Sequence, residues 1–188
     1  MFHLSKIRHT LHLNPQLLGL PLIDAMKGEL EMQFLDKVIA NLGLCISVYD
    51  ILSIDGGFIS PGDGCSTYEV VIRLVMFRPL VGEILIGKIE ESNDDGLRLS
   101  LGFFNDIYVP VLQLQQPCKR GDDGIWQWDY NSEYFPLDLN EEVNFQVISV
   151  KYPPIPVKQE ANSKPFAPME IVAGIRGDGL GVASWWED

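Results

Sequence analysis

Lys88, Arg98, Phe103, Phe104 and Tyr108 bring two cations and three aromatic rings into one short stretch. Rings that stack on bases, with cations that follow the phosphates, are how a protein holds a single nucleic-acid strand. Whether these side chains can act together depends on strands. Leu97, Leu99 and Leu101 alternate with Arg98 and Ser100, the period of two that buries one face and leaves Arg98 on the other. Tyr108 is out of phase with Ile107 and Val109 on a following strand, and Lys88 lies on the strand before. Phe103 and Phe104 fall in the link between the last two strands. Two roles are open to them: a place on the binding face, or a plug for a barrel end or an interdomain seam.

Other reactive residue types point away from catalysis. All the histidines, His3, His9 and His12, lie at the start of the chain, which leaves no Ser-His-Asp set. His9 and His12 are three apart, so on a strand they face opposite sides and do not converge on a metal. Asp94-Asp95 and Asp122-Asp123 read as solvated turn formers rather than magnesium ligands. Gly177 to Gly181 lacks the following helix of a dinucleotide-binding turn. Pro61-Gly62-Asp63-Gly64 has no lysine after it, so it reads as a rigid turn rather than a phosphate cradle. Cys45, Cys65 and Cys118 are odd in number and form no CxxC pair, the usage of a reducing compartment and not of a zinc knuckle. No catalytic residue, metal site or cofactor is expected.

Composition limits the partners. The chain has 188 residues, 46% of them hydrophobic, enough for one large packed domain or two small ones. No apolar run reaches a membrane span of about 18 residues. The start also lacks the basic and apolar segments of a signal peptide, so an intracellular protein is expected. Net charge is −12, with 6 basic and 8 acidic residues in 1–80 and 8 against 18 in 81–188. That imbalance argues against gripping nucleic acid by bulk electrostatics and leaves room only for a local, stacking contact.

The chain divides near Arg78-Pro79, because proline cannot donate to a strand ladder. Residues 1–80 form the first expected domain. It opens on a strand over 1–13 whose apolar phase changes between Leu4 and Ile7, which predicts a bulge. A helix follows Pro21, with Ile23, Met26, Leu30 and Phe34 as its apolar stripe. Val38 to Ile54 reads as a long strand bent at Gly43, and Asp55-Gly56-Gly57 as a turn before a short return through Phe58-Ile59. Tyr68 to Phe77 is apolar on both faces. Such a strand is covered on both sides, and with one helix available, part of that cover is expected from another chain.

Residues 81–188 form the second expected domain. Its first two strands meet at Asp95-Gly96, a strong hairpin signal. Residues 113–141 read as an irregular excursion with one short strand, Trp126 to Tyr130. Val143 to Val147 resumes the period of two, and Ile148 shifts it by one, as a barrel bend does. A Pro-rich loop spans 153–168, and Met169–Ile175 and Val182–Trp186 close the barrel. The fold class is therefore α+β: an antiparallel sheet with one main helix, then a five-stranded antiparallel OB barrel.

Longer motifs carry a family resemblance. Met1-Phe-His-Leu-Ser5, Pro61-Gly-Asp-Gly64, Tyr68 through Pro79, and Gly82-Glu-Ile-Leu-Ile-Gly-Lys-Ile89 resemble the larger stalk subunit of archaeal and eukaryotic RNA polymerases. The seventh subunit of polymerase II belongs to that family, as does its archaeal counterpart. Gly43-Leu-Cys-Ile46, Leu99-Ser-Leu-Gly-Phe-Phe104, Leu114-Gln-Gln-Pro117, Gly179-Leu-Gly181 and Ser184-Trp-Trp186 resemble its RNA polymerase III member. The resemblance implies a tip domain followed by an OB barrel, and an obligate heterodimer with a smaller helical stalk subunit. It implies docking on the polymerase III core through the Pro61, Gly62, Asp63, Gly64 loop. It also implies a nuclear, non-catalytic role in initiation at small non-coding RNA genes such as tRNA and 5S rRNA, with contact to single-stranded nascent RNA. The alternative is a free-standing OB-fold RNA-binding factor.

Overall fold

The computed structural model describes residues 1–59, 61–62, 64–154 and 166–186. Asp63 and most of the Pro-rich loop lie outside these. The chain forms two compact units, Met1–Arg78 and Pro79–Asp188.

The first unit is a four-stranded sheet with a helix on one face. Its strands are β1 (Phe2–Leu13), β2 (Val38–Ile39), β3 (Gly43–Ile59) and β4 (Ser66–Phe77), in spatial order β1-β4-β3-β2, and the helix is α1 (Leu22–Phe34). Pro21 precedes α1, and Asp24 in its first turn faces the positive end of the helix dipole. Met26 and Leu30 of α1 are fully buried against Leu11, Leu13, Val70, Ile72, Leu74 and Met76. Each such side chain contributes roughly 2 kcal/mol by leaving water. Ile23, placed on this stripe by its spacing, is instead 63% exposed.

β1 has no bulge: it pairs continuously from Phe2↔Phe77 to Leu13↔Ser66. The phase change has another cause. Ser5 takes an inward position, while Phe2 and Leu4 sit exposed on the outer face. The irregularity lies in β3, whose ladder with β4 shifts register between Cys45/Ser47, Val48/Asp50, Ile51/Ser53 and Gly56/Phe58. Those bulges let the longer strand follow the shorter one. The expected turn at Gly56-Gly57 is therefore a bulge, and Phe58-Ile59 continues β3. On the outer face of β4, Arg73 lies in register with Asp50 and over the Tyr49 ring.

The second unit is a closed barrel of five strands: β5 (Ile84–Asn93), β6 (Gly96–Ser100), β7 (Ile107–Pro110), β11 (Glu142–Lys151) and β12 (Glu170–Gly174). Between β7 and β11 the chain makes β8 (Cys118–Arg120), β9 (Trp126–Tyr130) and β10 (Glu133–Pro136), and after β12 it makes β13 (Gly181–Val182). The order β12-β7-β6-β5-β11 closes through β11–β12 pairing. Four seams are antiparallel, as expected, and β7–β12 is parallel. Ile89, Leu99, Ile107, Val143, Phe145 and Ile171 fill the interior.

Three local expectations change in this unit. The turn between β5 and β6 is Asp94-Asp95, held by an Asp95 amide donating to Asn93 Oδ1 at 3.1 Å. Gly96 starts β6 with φ of 135°, and a Cβ there would run into the Val109 carbonyl oxygen. Residues 113–141 are not irregular: they hold the three-stranded meander β8-β9-β10. Val182–Trp186 does not close the barrel, because only Gly181 and Val182 pair and Ala183–Trp186 is a 3-10 turn. The register shift expected near Ile148 is present, between Val147 and Ser149. Among the described residues, no helix is long and apolar enough to cross a membrane.

Candidate functional site

The ladder of β6 and β7 sets Arg98 opposite Tyr108, so this cation and ring do lie side by side. Arg98 is not free to meet a phosphate. Its Nε donates to the Asn105 carbonyl at 3.0 Å, and its guanidinium lies 3.3 Å from Asp106, 3.7 Å from Glu91 and 3.9 Å from Glu90. Consecutive strand residues normally face opposite sides. A register shift between Ile89 and Glu91 brings both Glu90 and Glu91 to the same guanidinium. Tyr108 is half-buried, and its hydroxyl pKa is raised by burial, then by the Asp106 charge. Lys88 sits across from Ser100 and 3.8 Å from Glu142.

The two phenylalanines separate. Phe104 is buried at 7% exposure, whereas Phe103 is 48% exposed. Carboxylates thus outnumber the cations on this face, an arrangement that repels a phosphate backbone.

In the first unit, Pro61 and Gly62 are exposed and Gly64 is half-buried; Asp63 is outside the described residues. Sequence reasoning missed the residues just before them. Phe58 and Ile59, at the end of β3, are 78% and 66% exposed. The signal was present as two apolar residues just before Pro61-Gly62, but reading them as a short return strand hid it. The histidines are engaged separately: His9 Nε2 lies 2.8 Å from Gln33 Oε1 and its ring meets Phe34 edge-on, while His12 Nδ1 lies 3.0 Å from Thr67 Oγ1. Burial pushes the Cys45 and Cys118 thiols up, which keeps them protonated and poorly nucleophilic.

A second feature went unseen in the sequence. Trp128 lies 4.9 Å from Tyr130, 5.7 Å from Phe135 and 5.2 Å from Trp185, ring centre to ring centre. Period two along β9 puts Trp128 and Tyr130 on one face, and pairing with β10 adds Phe135. Trp185 arrives from the final 3-10 turn. It is admitted by Gly181, whose φ is 104° and where a Cβ would come within 2.6 Å of the indole. Trp128 Nε1 is buried with no hydrogen-bond partner among the described residues, which packing alone would not favour.

Similarity to known proteins covers both units. Residues 8–64 match the model of the SHS2 domain found in the N terminus of Rpb7p and Rpc25p, and residues 83–186 match that of RNA polymerase III subunit Rpc25. The second match spans more than half of the chain. The chain belongs to the RNA polymerase III subunit Rpc25 family. Full-length relatives agree. The DNA-directed RNA polymerase III subunit RPC8 of Schizosaccharomyces pombe is 35% identical over 100% of both chains. That of Bos taurus is 37% identical over 99% of this chain and 98% of its own. The archaeal DNA-directed RNA polymerase subunit Rpo7 of Saccharolobus solfataricus is more distant, at 28% identity over 80% of this chain and 83% of its own. The sheet with one helix corresponds to the SHS2 part of the Rpc25 family, and the barrel with its meander to the part matched by the Rpc25 model.

Proposed function

We propose that the protein is a non-catalytic stalk subunit of DNA-directed RNA polymerase III, supporting initiation at genes for small non-coding RNAs such as tRNA and 5S rRNA in the nucleus. The observation that carries this reading is the end-to-end match to RPC8 proteins, at 35–37% identity with at least 98% of each chain aligned. A free-standing RNA-binding factor would need a face that attracts phosphate, and the Arg98 neighbourhood does the reverse.

The finer roles follow from the same reading. The Pro61, Gly62, Asp63, Gly64 loop docks on the polymerase core, and Phe58 and Ile59 add apolar area beside it. A smaller helical stalk subunit is the obligate partner, and an apolar outer surface such as Phe2 and Leu4 on β1 suits a permanent contact. Contact with nascent RNA on the barrel goes through stacking on Tyr108 and Phe103. Lys88 and Arg98 give little phosphate pairing, and buried Phe104 supports the loop from within.

Affinity purification of the tagged chain tests the assignment. Recovery of the polymerase III subunits with a small helical partner is expected. Recovery of the chain without any polymerase subunit would overturn it.

A further inference from the structure

The aromatic cluster at the meander opens on a cavity of about 270 Å³. Trp128, Tyr130, Phe135 and Trp185 supply aromatic walls, and Gln115 and Asp178 supply polar ones. Hydrogen bonds from the lining residues themselves hold the walls in place. Gln115 is buried and donates to the carbonyls of Gly177 at 2.8 Å and Leu180 at 3.2 Å, fixing the loop that carries Asp178. Trp186 Nε1 donates to the same Leu180 carbonyl at 3.1 Å, anchoring the 3-10 turn that presents Trp185. Tyr130 and Trp186 remain 52% and 44% exposed, so aromatic surface is open to solvent. A cluster that existed only to pack would cover that surface.

Charge says what fits. A ring face carries negative electrostatic potential and attracts a cation that sheds part of its water. Asp178 adds a full negative charge to the lining. Glu133 stands opposite Tyr130 in the β9–β10 ladder, on the same face of that ribbon. Arg176 is the basic residue of the same loop and is exposed. The half of the chain that contains the cavity carries 18 acidic against 8 basic residues. A nucleobase could also stack here, but its phosphates would meet this acidic surround.

We propose that this cavity is a binding site for a cationic side chain, a lysine or arginine presented by a basic segment of a partner protein. The stem of that side chain packs against the rings, and its charged head lies between the ring faces and Asp178. The site shares no residue with the polymerase-docking loop or with the Arg98 face, and it does not rest on the stalk assignment.

Indole N–H resonances of the 188-residue chain report on it directly. The probes are blocked tripeptides, Ac-Gly-Xaa-Gly-NH2, with Xaa as arginine, lysine, trimethyl-lysine or uncharged norleucine, and separately oligouridylate. The cationic peptides are expected to shift the Trp128 and Trp185 signals and norleucine to do so about fivefold more weakly. Asp178→Asn is expected to weaken the cationic peptides by about fivefold while leaving the thermal midpoint unchanged, because Asp178 is exposed. Arg176→Gln is expected to strengthen them. Comparison of arginine with lysine and trimethyl-lysine identifies the preferred head group. Equal shifts from norleucine, no shift from any peptide, or shifts from oligouridylate alone would each overturn the proposal.

Discussion

On the barrel, Arg98 lies 3.3 to 3.9 Å from Asp106, Glu91 and Glu90; at the end of β3, Phe58 and Ile59 keep most of their surface in water. Both regions reach the surface, and both carry side-chain types that recognition can draw on. In the first, the attractive group is already engaged by its own chain, and a ligand would have to displace those partners. In the second, the apolar groups gain only when something covers them. An outward cation on a barrel strand is therefore weaker support for a ligand than uncovered apolar residues at a strand end. The same reasoning separates Phe103 from Phe104, which are adjacent in sequence and differ in exposure, 48% against 7%.

The largest effect is expected at the end of β3. Phe58→Asp combined with Ile59→Asp should lower polymerase recovery in pull-downs by more than about tenfold, since losing a central apolar contact costs about 2 kcal/mol or more. The thermal midpoint should stay put because neither residue is packed in the sheet core. A fall in midpoint equal to that of a core variant would show that the residues hold the fold instead.

Phe104→Ala should destabilise the barrel by about 3 kcal/mol, and Phe103→Ala by about 0.5 kcal/mol. Urea unfolding followed by tryptophan fluorescence measures both. Equal costs would erase the distinction between the buried and the exposed ring.

Arg98→Ala should cost about 1 kcal/mol, because it frees carboxylates that the guanidinium now offsets. Binding of single-stranded RNA, measured across a salt series, should not weaken. A drop in RNA affinity together with a shallower salt slope would return Arg98 to the role its strand position suggests.

The smallest effect is a pH dependence in the first unit. Hydrogen bonding to Arg73 holds the Asp50 carboxyl below its ordinary range. A folded-state pKa below the unfolded one contributes stability above the unfolded value, and that contribution is lost as pH falls through the folded value. Thermal midpoints measured downward from about pH 5 should therefore fall less steeply in Asp50→Asn than in the unaltered chain.

Regular pairing left a clear trace in the sequence, and irregular pairing did not. β6 keeps a strict alternation and β4 is a nearly unbroken apolar run, and both were legible, as was α1. β3 was cut short because four bulges destroy its period, which put Phe58 and Ile59 on a strand that does not exist. The convergence of Glu90 and Glu91 on Arg98 depends on one register shift in β5, and no spacing rule reveals that. The aromatic cluster joins Trp128 and Phe135 to Trp185, so only the closed fold shows that they meet. The alternation of Trp126 to Tyr130 marked the strand but not the company it keeps.

The assignment to RNA polymerase III is tested most directly by conditional depletion of the chain in its native cells, with pulse-labelling of newly made RNA. Synthesis of tRNA and 5S rRNA is expected to fall first, while messenger RNA synthesis continues. Unchanged tRNA and 5S rRNA synthesis after full depletion would contradict it.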